Sequence, residues 1–175
     1  MIAQAKTNIE SENLTNQIQV SEIDFRSTLI QEKFDVIFAI DVAMYFKDKE
    51  ELYGKLRSFG TPGGKIVTTD YITKGGRSDL LSKLISKWAL AIPPTFDVLK
   101  NAILSNRLNI LKLDDVSSWQ ISHWEDVKSR VLQCRAEILS TVDENSYNAY
   151  LDSASMIITS LKENSHGYVF TILKI

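Results

Sequence analysis

Two acids close apolar runs in the segment FDVIFAIDVAMYFKDKEELYGKLRSFGTPGGKIVTTDY, residues 34–71: Asp41 after Val36–Ile40, and Asp70, followed by Tyr71, after Lys65–Thr69. A carboxylate at the carboxyl end of a buried strand accepts hydrogen bonds from a bound molecule, and this edge is where open α/β sheets bind ligands. Tyr45 follows Asp41 by four residues and can orient a ligand, although a packed tyrosine reads the same way in sequence. Tyr71 follows its strand directly and is the better wall for a substrate. A third acid with an aromatic neighbour, Asp24-Phe25, ends the alternating run Ile18–Ile23. Each acid has a purely structural alternative as a turn or capping residue.

Other chemistries find little support. His123 and His166 stand apart, without an H-E-x-x-H pattern or a cysteine cluster, so a metal centre is not expected. Cys134 falls on the apolar stripe of its segment and is expected to be a buried, inert thiol. Gly63-Gly64 precede a strand instead of opening a helix, which makes them a turn and not a phosphate loop. Trp88, Lys87 and Arg77 are weaker substrate candidates, with packing and solvation as their alternatives.

These residues need elements to hold them. Asp48 can cap a helix with Glu51 three residues on, and Leu52, Leu56 and Phe59 place its apolar stripe on a sheet. Two buried strands joined by such a helix form a parallel crossover. Upstream, Ile2, Ala5 and Ile9 predict a helix closed near Asn13 and Asn16, followed by a strand over Ile18–Ile23. Thr61–Gly64 is expected to turn the chain. Gly75-Gly76 and Pro93-Pro94 bracket an apolar-rich helix over Ser78–Ala91, which suggests a lid-like insertion about 75–94. A helix over Thr95–Asn106, a short strand over Asn109–Leu113, two amphipathic helices and a last strand over Tyr168–Ile175, released at Gly167, complete an α/β layer architecture in one domain, 1–175.

Bulk properties agree with that reading. With 175 residues, 44% apolar and 24% charged, the chain can bury one sizeable core. A net charge of −2 gives no electrostatic footprint for nucleic acid or an anionic membrane. One cysteine rules out an internal disulfide, and no apolar run reaches the roughly 20 residues that span a bilayer, so a soluble, cytoplasmic protein acting on a small molecule is expected.

The FDxI run, the acid after it, the helix, the PGG and the strand ending in an acid together resemble class I S-adenosylmethionine-dependent methyltransferases of the small-molecule type, including the phosphoethanolamine, sterol and sugar groups. The resemblance implies a Rossmann-like three-layer sheet, mostly parallel with an antiparallel last strand beside Lys65–Thr69. It also implies that the chain corresponds to the C-terminal two-thirds of such an enzyme, N-terminally truncated. By resemblance, Asp24 and Phe25 contact the adenine of S-adenosylmethionine, Ile40 touches the cofactor, and Asp41, Tyr45 and Tyr71 face the methyl acceptor. Phosphoethanolamine methyltransferases carry a His four residues after the acid where Tyr45 stands, so that group's proton-abstracting dyad is not carried over. The family's Gly-rich cofactor loop has no counterpart either, because no G-x-G occurs among the seven glycines.

Two functions follow. The first is methyl transfer to a small acceptor, which needs positioning more than covalent catalysis and so explains the lack of a triad. The second is a non-catalytic piece of a larger methyltransferase that meets a partner strand or a second copy through the apolar edge at Val36–Ile40. A nicotinamide enzyme is disfavoured without G-x-G-x-x-G. Weak or absent cofactor binding is expected of the chain alone.

Overall fold

The computed structural model describes every residue except Met1, Arg26, Thr28, Leu29 and 76–78. The chain divides into two compact units, Met1–Glu32 and Lys33–Ile175. The first contains α1 (Ile2–Ser11), which ends near Asn13 in the left-handed region (φ 57°) and buries none of its residues. The strand expected over Ile18–Ile23 does not form: these residues are irregular, and Ile18 and Ile23 are exposed. An alternating pattern becomes a strand only when a neighbouring ladder accepts its backbone groups, and no described residue pairs with it.

The second unit is a four-stranded sheet with helices. In chain order it comprises β1 (Phe34–Ala39), α2 (Lys49–Phe59), β2 (Gly60–Thr73), α3 (Asp79–Lys87), α4 (Phe96–Ser105), β3 (Asn109–Asp115), α5 (Ser117–Gln133), α6 (Arg135–Leu139), α7 (Glu144–Lys162) and β4 (His166–Lys174). The strand order is β1-β2-β4-β3. β1 and β2 are parallel, with Val36 opposite Lys65 and Ala39 opposite Thr68. β4 lies antiparallel between β2 and β3, so three strands share a direction and the last opposes them. This is the α/β arrangement that the sequence predicts.

The crossover helix forms as its sequence dictates. Asp48 caps α2 by accepting from the Glu51 N–H at 2.9 Å, and Leu52, Tyr53, Leu56 and Phe59 are buried. α4 begins on Thr95, which accepts from the Val98 N–H at 3.3 Å, and buries Leu99, Ala102 and Ile103. α2 and α4 pack on one another, while α3, α5 and α7 form a second helical group around Leu84, Ile157 and Leu161. Each buried aliphatic side chain contributes roughly 1.5–3 kcal/mol relative to exposure.

Three local expectations are corrected. Thr61–Gly64 is not a turn but a bulge within β2: from the Phe34–Gly60 pair to the Val36–Lys65 pair, β1 advances two residues and β2 five. Ladder bonds survive there because Gly63 N–H donates to Ile175 O and Ile175 N–H to Gly64 O, both at 3.0 Å, while Gly63 takes φ 84°. The turn before β4 falls at Asn164 (φ 55°), and Gly167 lies inside the strand opposite Ile72. A Cβ at Gly167 would sit 2.3 Å from Lys74 Cε, so close approach explains this glycine. Cys134 is exposed, because α5 ends at Gln133 and the chain reorients before α6.

Candidate active site

A cavity of about 660 Å³ opens in the second unit, where β1, β2 and β3 end and β4 begins. That volume is within the usual range for a small-molecule site. The sheet lines it with Ile40, Asp41, Thr69, Asp70, Tyr71 and Tyr168. The opposite wall comes from α3 and the residues after it (Leu81, Leu84, Ile85, Trp88 and Leu90), with Trp124 of α5 and Ile157 of α7.

Asp41 lies two residues past the end of β1 and turns into the left-handed region, φ 55°, a conformation Asp tolerates better than most residues. Thr69 on the neighbouring strand fixes it twice: its hydroxyl accepts from the Asp41 N–H at 2.9 Å and donates to Oδ1 at 3.2 Å. The Tyr168 hydroxyl also donates to Oδ1. Burial and then the bond to Asp41 push the Tyr168 phenol far up, so it remains a neutral donor. Among the described residues both side-chain bonds fall on Oδ1, which leaves Oδ2 to meet a ligand.

Next to this carboxylate lies a charge pair with very little solvent. Lys49 Nζ is 2.6 Å from Asp70 Oδ2, with the two side chains 5% and 1% exposed. The ammonium also donates to Ala43 O at 2.6 Å, and Asp70 Oδ1 accepts from the Tyr71 N–H at 2.8 Å. The Lys49–Asp70 approach is close but lies outside hydrogen-bond alignment, so it acts chiefly as an ion pair. Burial raises the Asp70 pKa despite the pull of Lys49.

Tyr71 stands opposite Tyr168 in the antiparallel register, with ring centroids 5.0 Å apart, and its hydroxyl accepts from Gln120 Nε2 at 3.2 Å. Burial raises its pKa. His166 packs 5.3 Å from the Tyr71 ring, and its Nδ1 lies 2.7 Å from Ser160 Oγ. Burial, and secondarily the Lys74 charge, lower the His166 pKa to about 4.

That depression predicts a pH dependence. The unfolded histidine binds its proton near pH 6.5 and the folded one near 4, so between those values the unfolded state holds more protons. Stability should therefore fall on acidification from pH 6.5 to 4, by at most roughly 3 kcal/mol from this residue. Asp70 contributes with the opposite sign just above pH 3.8, because its folded pKa is raised. Urea unfolding of the wild type and His166→Gln in parallel isolates the histidine: the variant should show the shallower loss, and equal slopes would refute the assignment.

A family model described as a methyltransferase domain matches residues 1–134. The chain belongs to this methyltransferase family. A comparison with curated protein sequences finds no match. Among solved structures, this methyltransferase-domain chain is similar to a Haemonchus contortus phosphoethanolamine N-methyltransferase 2 in complex with S-adenosyl-L-methionine, with a TM-score of 0.88 and 16% identity over 99% of this chain and 40% of that one. A protein described as a sarcosine dimethylglycine methyltransferase, from Galdieria sulphuraria, gives 0.83 and 15% over 99% and 66%. Geranyl diphosphate C-methyltransferase from Streptomyces coelicolor gives 0.76 and 16% over 99% and 60%. The chain thus spans less than two thirds of each of these proteins, and at such identities the likeness establishes the fold.

Of the residues singled out from sequence, Ile40, Asp41, Tyr45 and Tyr71 all line the cavity, as does Trp88. Asp24 and Phe25 belong to the first unit, where Asp24 is exposed and Phe25 half-buried. Lys87 lies on α3, donating to Ala149 O at 2.7 Å, and Arg77 lies outside the described residues. Sequence reasoning passed over Lys49, Thr69, Gln120 and Tyr168. Tyr168 could have been found from the register of the last strand against Tyr71, but the other three carry no local signal.

Proposed function

We propose that this chain carries the acceptor side of an S-adenosylmethionine-dependent methyl-transfer site acting on a small molecule. The observation that carries the reading is Asp41, held by Thr69 and Tyr168 at the mouth of a cavity where the strands end, with Oδ2 turned to neither. Such a carboxylate holds an acceptor by its N–H or O–H and takes the proton as the methyl group is accepted. Tyr45 and Tyr71 flank the acceptor. The segment about 75–94 acts as a lid, tied at its far end by Ala91 N–H to Met44 O at 2.9 Å and by Thr73 N–H to Pro94 O at 2.8 Å.

The chain's residues fit one side of the cofactor only. By the family resemblance Asp24 and Phe25 contact its adenine and Ile40 contacts the cofactor, but among the described residues no glycine lines the cavity, and the sequence contains no G-x-G to receive the methionine portion. When bound, the cofactor supplies an electrophilic methyl group. With one cysteine, and that one exposed, a reducing cytoplasm is the assigned compartment.

A second reading is favoured by one observation. Phe34, Val36 and Phe38, alternate residues on one face of the edge strand, and Ile40 just past its end are 44%, 48%, 70% and 46% exposed. Such a row suits a non-catalytic piece that docks on a partner or on a second copy. Incubation with methyl-labelled S-adenosylmethionine at millimolar concentration and a mixture of small acceptors separates the two readings. Label appearing in a small molecule supports transfer, whereas none appearing, with a defined oligomer or complex in solution, supports docking.

A further inference from the structure

The charges around the cavity carry information about what it can admit. Of its cationic side chains, Lys49 is neutralised by Asp70 at 2.6 Å and occupied by Ala43 O. No arginine lines the cavity among the described residues. His166 is 2% exposed and engaged by Ser160, and His123, the other histidine of the lining, stacks on the Trp119 ring with centroids 5.4 Å apart. Among the described acidic, lysine and arginine side chains of the lining, the charge left unneutralised is negative and belongs to Asp41. A phosphate or carboxylate on the acceptor would find no free lysine or arginine among the described lining residues and would face that carboxylate, a repulsion that strengthens as water is excluded.

Beside Thr69, Gln120 and His123, most of the remaining surface is apolar. Leu81, Leu84, Ile85, Leu90 and Ile157 line the helical side, while Tyr45, Tyr71, Trp88, Trp119 and Trp124 contribute rings. Aromatic faces beside a carboxylate attract a cation, by roughly 0.5–2 kcal/mol per well-placed ring, and the aliphatic wall needs hydrocarbon to cover it.

We propose that the acceptor is an apolar amine: a hydrocarbon or aromatic body of drug-like size, carrying one amino group held at Asp41 and bearing neither phosphate nor carboxylate. This inference rests on reading the cavity as an acceptor site. It separates the chain from the phosphoethanolamine and sarcosine named for its structural neighbours, because those molecules carry an anion.

All three tryptophans of the chain, Trp88, Trp119 and Trp124, line this cavity, so intrinsic fluorescence reports its occupancy without any cofactor. The probes are 4-phenylbutylamine, its alcohol and acid counterparts 4-phenyl-1-butanol and 4-phenylbutyrate, and phosphoethanolamine. The amine should give a saturable change at least about tenfold tighter than the alcohol and more over the acid, a difference of about 1.4 kcal/mol. Phosphoethanolamine should give none. Asp41→Asn, checked by its urea midpoint, should bring amine and alcohol to parity; if that variant does not fold, the wild-type series decides alone. Equal affinity for amine and alcohol, tighter binding of the acid or of phosphoethanolamine, or no saturable response to the amine would each overturn the proposal. Amine binding without methyl transfer to any acceptor would leave this assignment standing and count against the transfer reading only.

Discussion

Asp70→Leu should destabilise the chain by about 3–5 kcal/mol, because it strands the Lys49 ammonium at 5% exposure with only Ala43 O to receive it. The size of the effect reflects the charge left behind more than any net strength of the pair, since separating two ions from water costs much of what their attraction returns. Two consequences follow. The double variant Lys49→Met, Asp70→Leu should recover most of the loss, as an apolar pair of similar volume replaces a buried ion pair at little cost. Asp70→Asn should fall between, since the amide still accepts from the Tyr71 N–H but offers no charge. Urea midpoints of the four proteins check this. A single variant within about 0.5 kcal/mol of the wild type would mean that Lys49 reaches solvent or loses its proton when its partner is removed.

Asp41→Asn should reduce methyl transfer by roughly 10²–10⁴-fold, the range for loss of a positioned proton acceptor, while changing stability by less than about 1 kcal/mol. The stability expectation comes from the backbone: Asn occupies the left-handed region as readily as Asp, so φ 55° is retained, and its carbonyl can still accept from Thr69 and Tyr168. Label transfer at millimolar S-adenosylmethionine measures the first effect, urea unfolding the second. Unchanged turnover with loss of folding would make Asp41 a latch between β1, β2 and β4 instead of an acceptor contact.

Much of this architecture is readable from sequence, and the reasons are local. The run Val36–Ile40, the capped helix begun by Asp48 and the β-branched stretch Lys65–Thr69 each carry a complete signal, and a crossover is the simplest way to join them. The antiparallel last strand came through resemblance, since no periodicity specifies which neighbour a strand chooses. Ile18–Ile23 misleads because alternation describes a face to be covered and says nothing about a partner to pair with. Thr61–Gly64 misleads in the opposite way: Pro and two glycines announce a turn, yet Ile175 holds Gly63 and Gly64 in the ladder from more than a hundred residues away. Asp41 and Tyr71 were visible because strand ends are visible. Lys49 hides at the start of a helix whose other early residues face solvent, and Thr69 looks like any β-branched strand residue until Asp41 turns back onto it.

The central claim is that the chain holds an acceptor site but only part of a cofactor site. Calorimetric titration with S-adenosylmethionine tests it most directly. The sequence contains no Gly-rich loop for the methionine carboxylate and amine. If each missing anchor removes one or two charged hydrogen bonds, at roughly 1.5–3 kcal/mol apiece, affinity falls by two or more orders of magnitude. The account predicts no saturation below about millimolar cofactor. A dissociation constant of about a micromolar, equivalent to roughly 8 kcal/mol of binding free energy, would show a complete cofactor pocket and contradict the account.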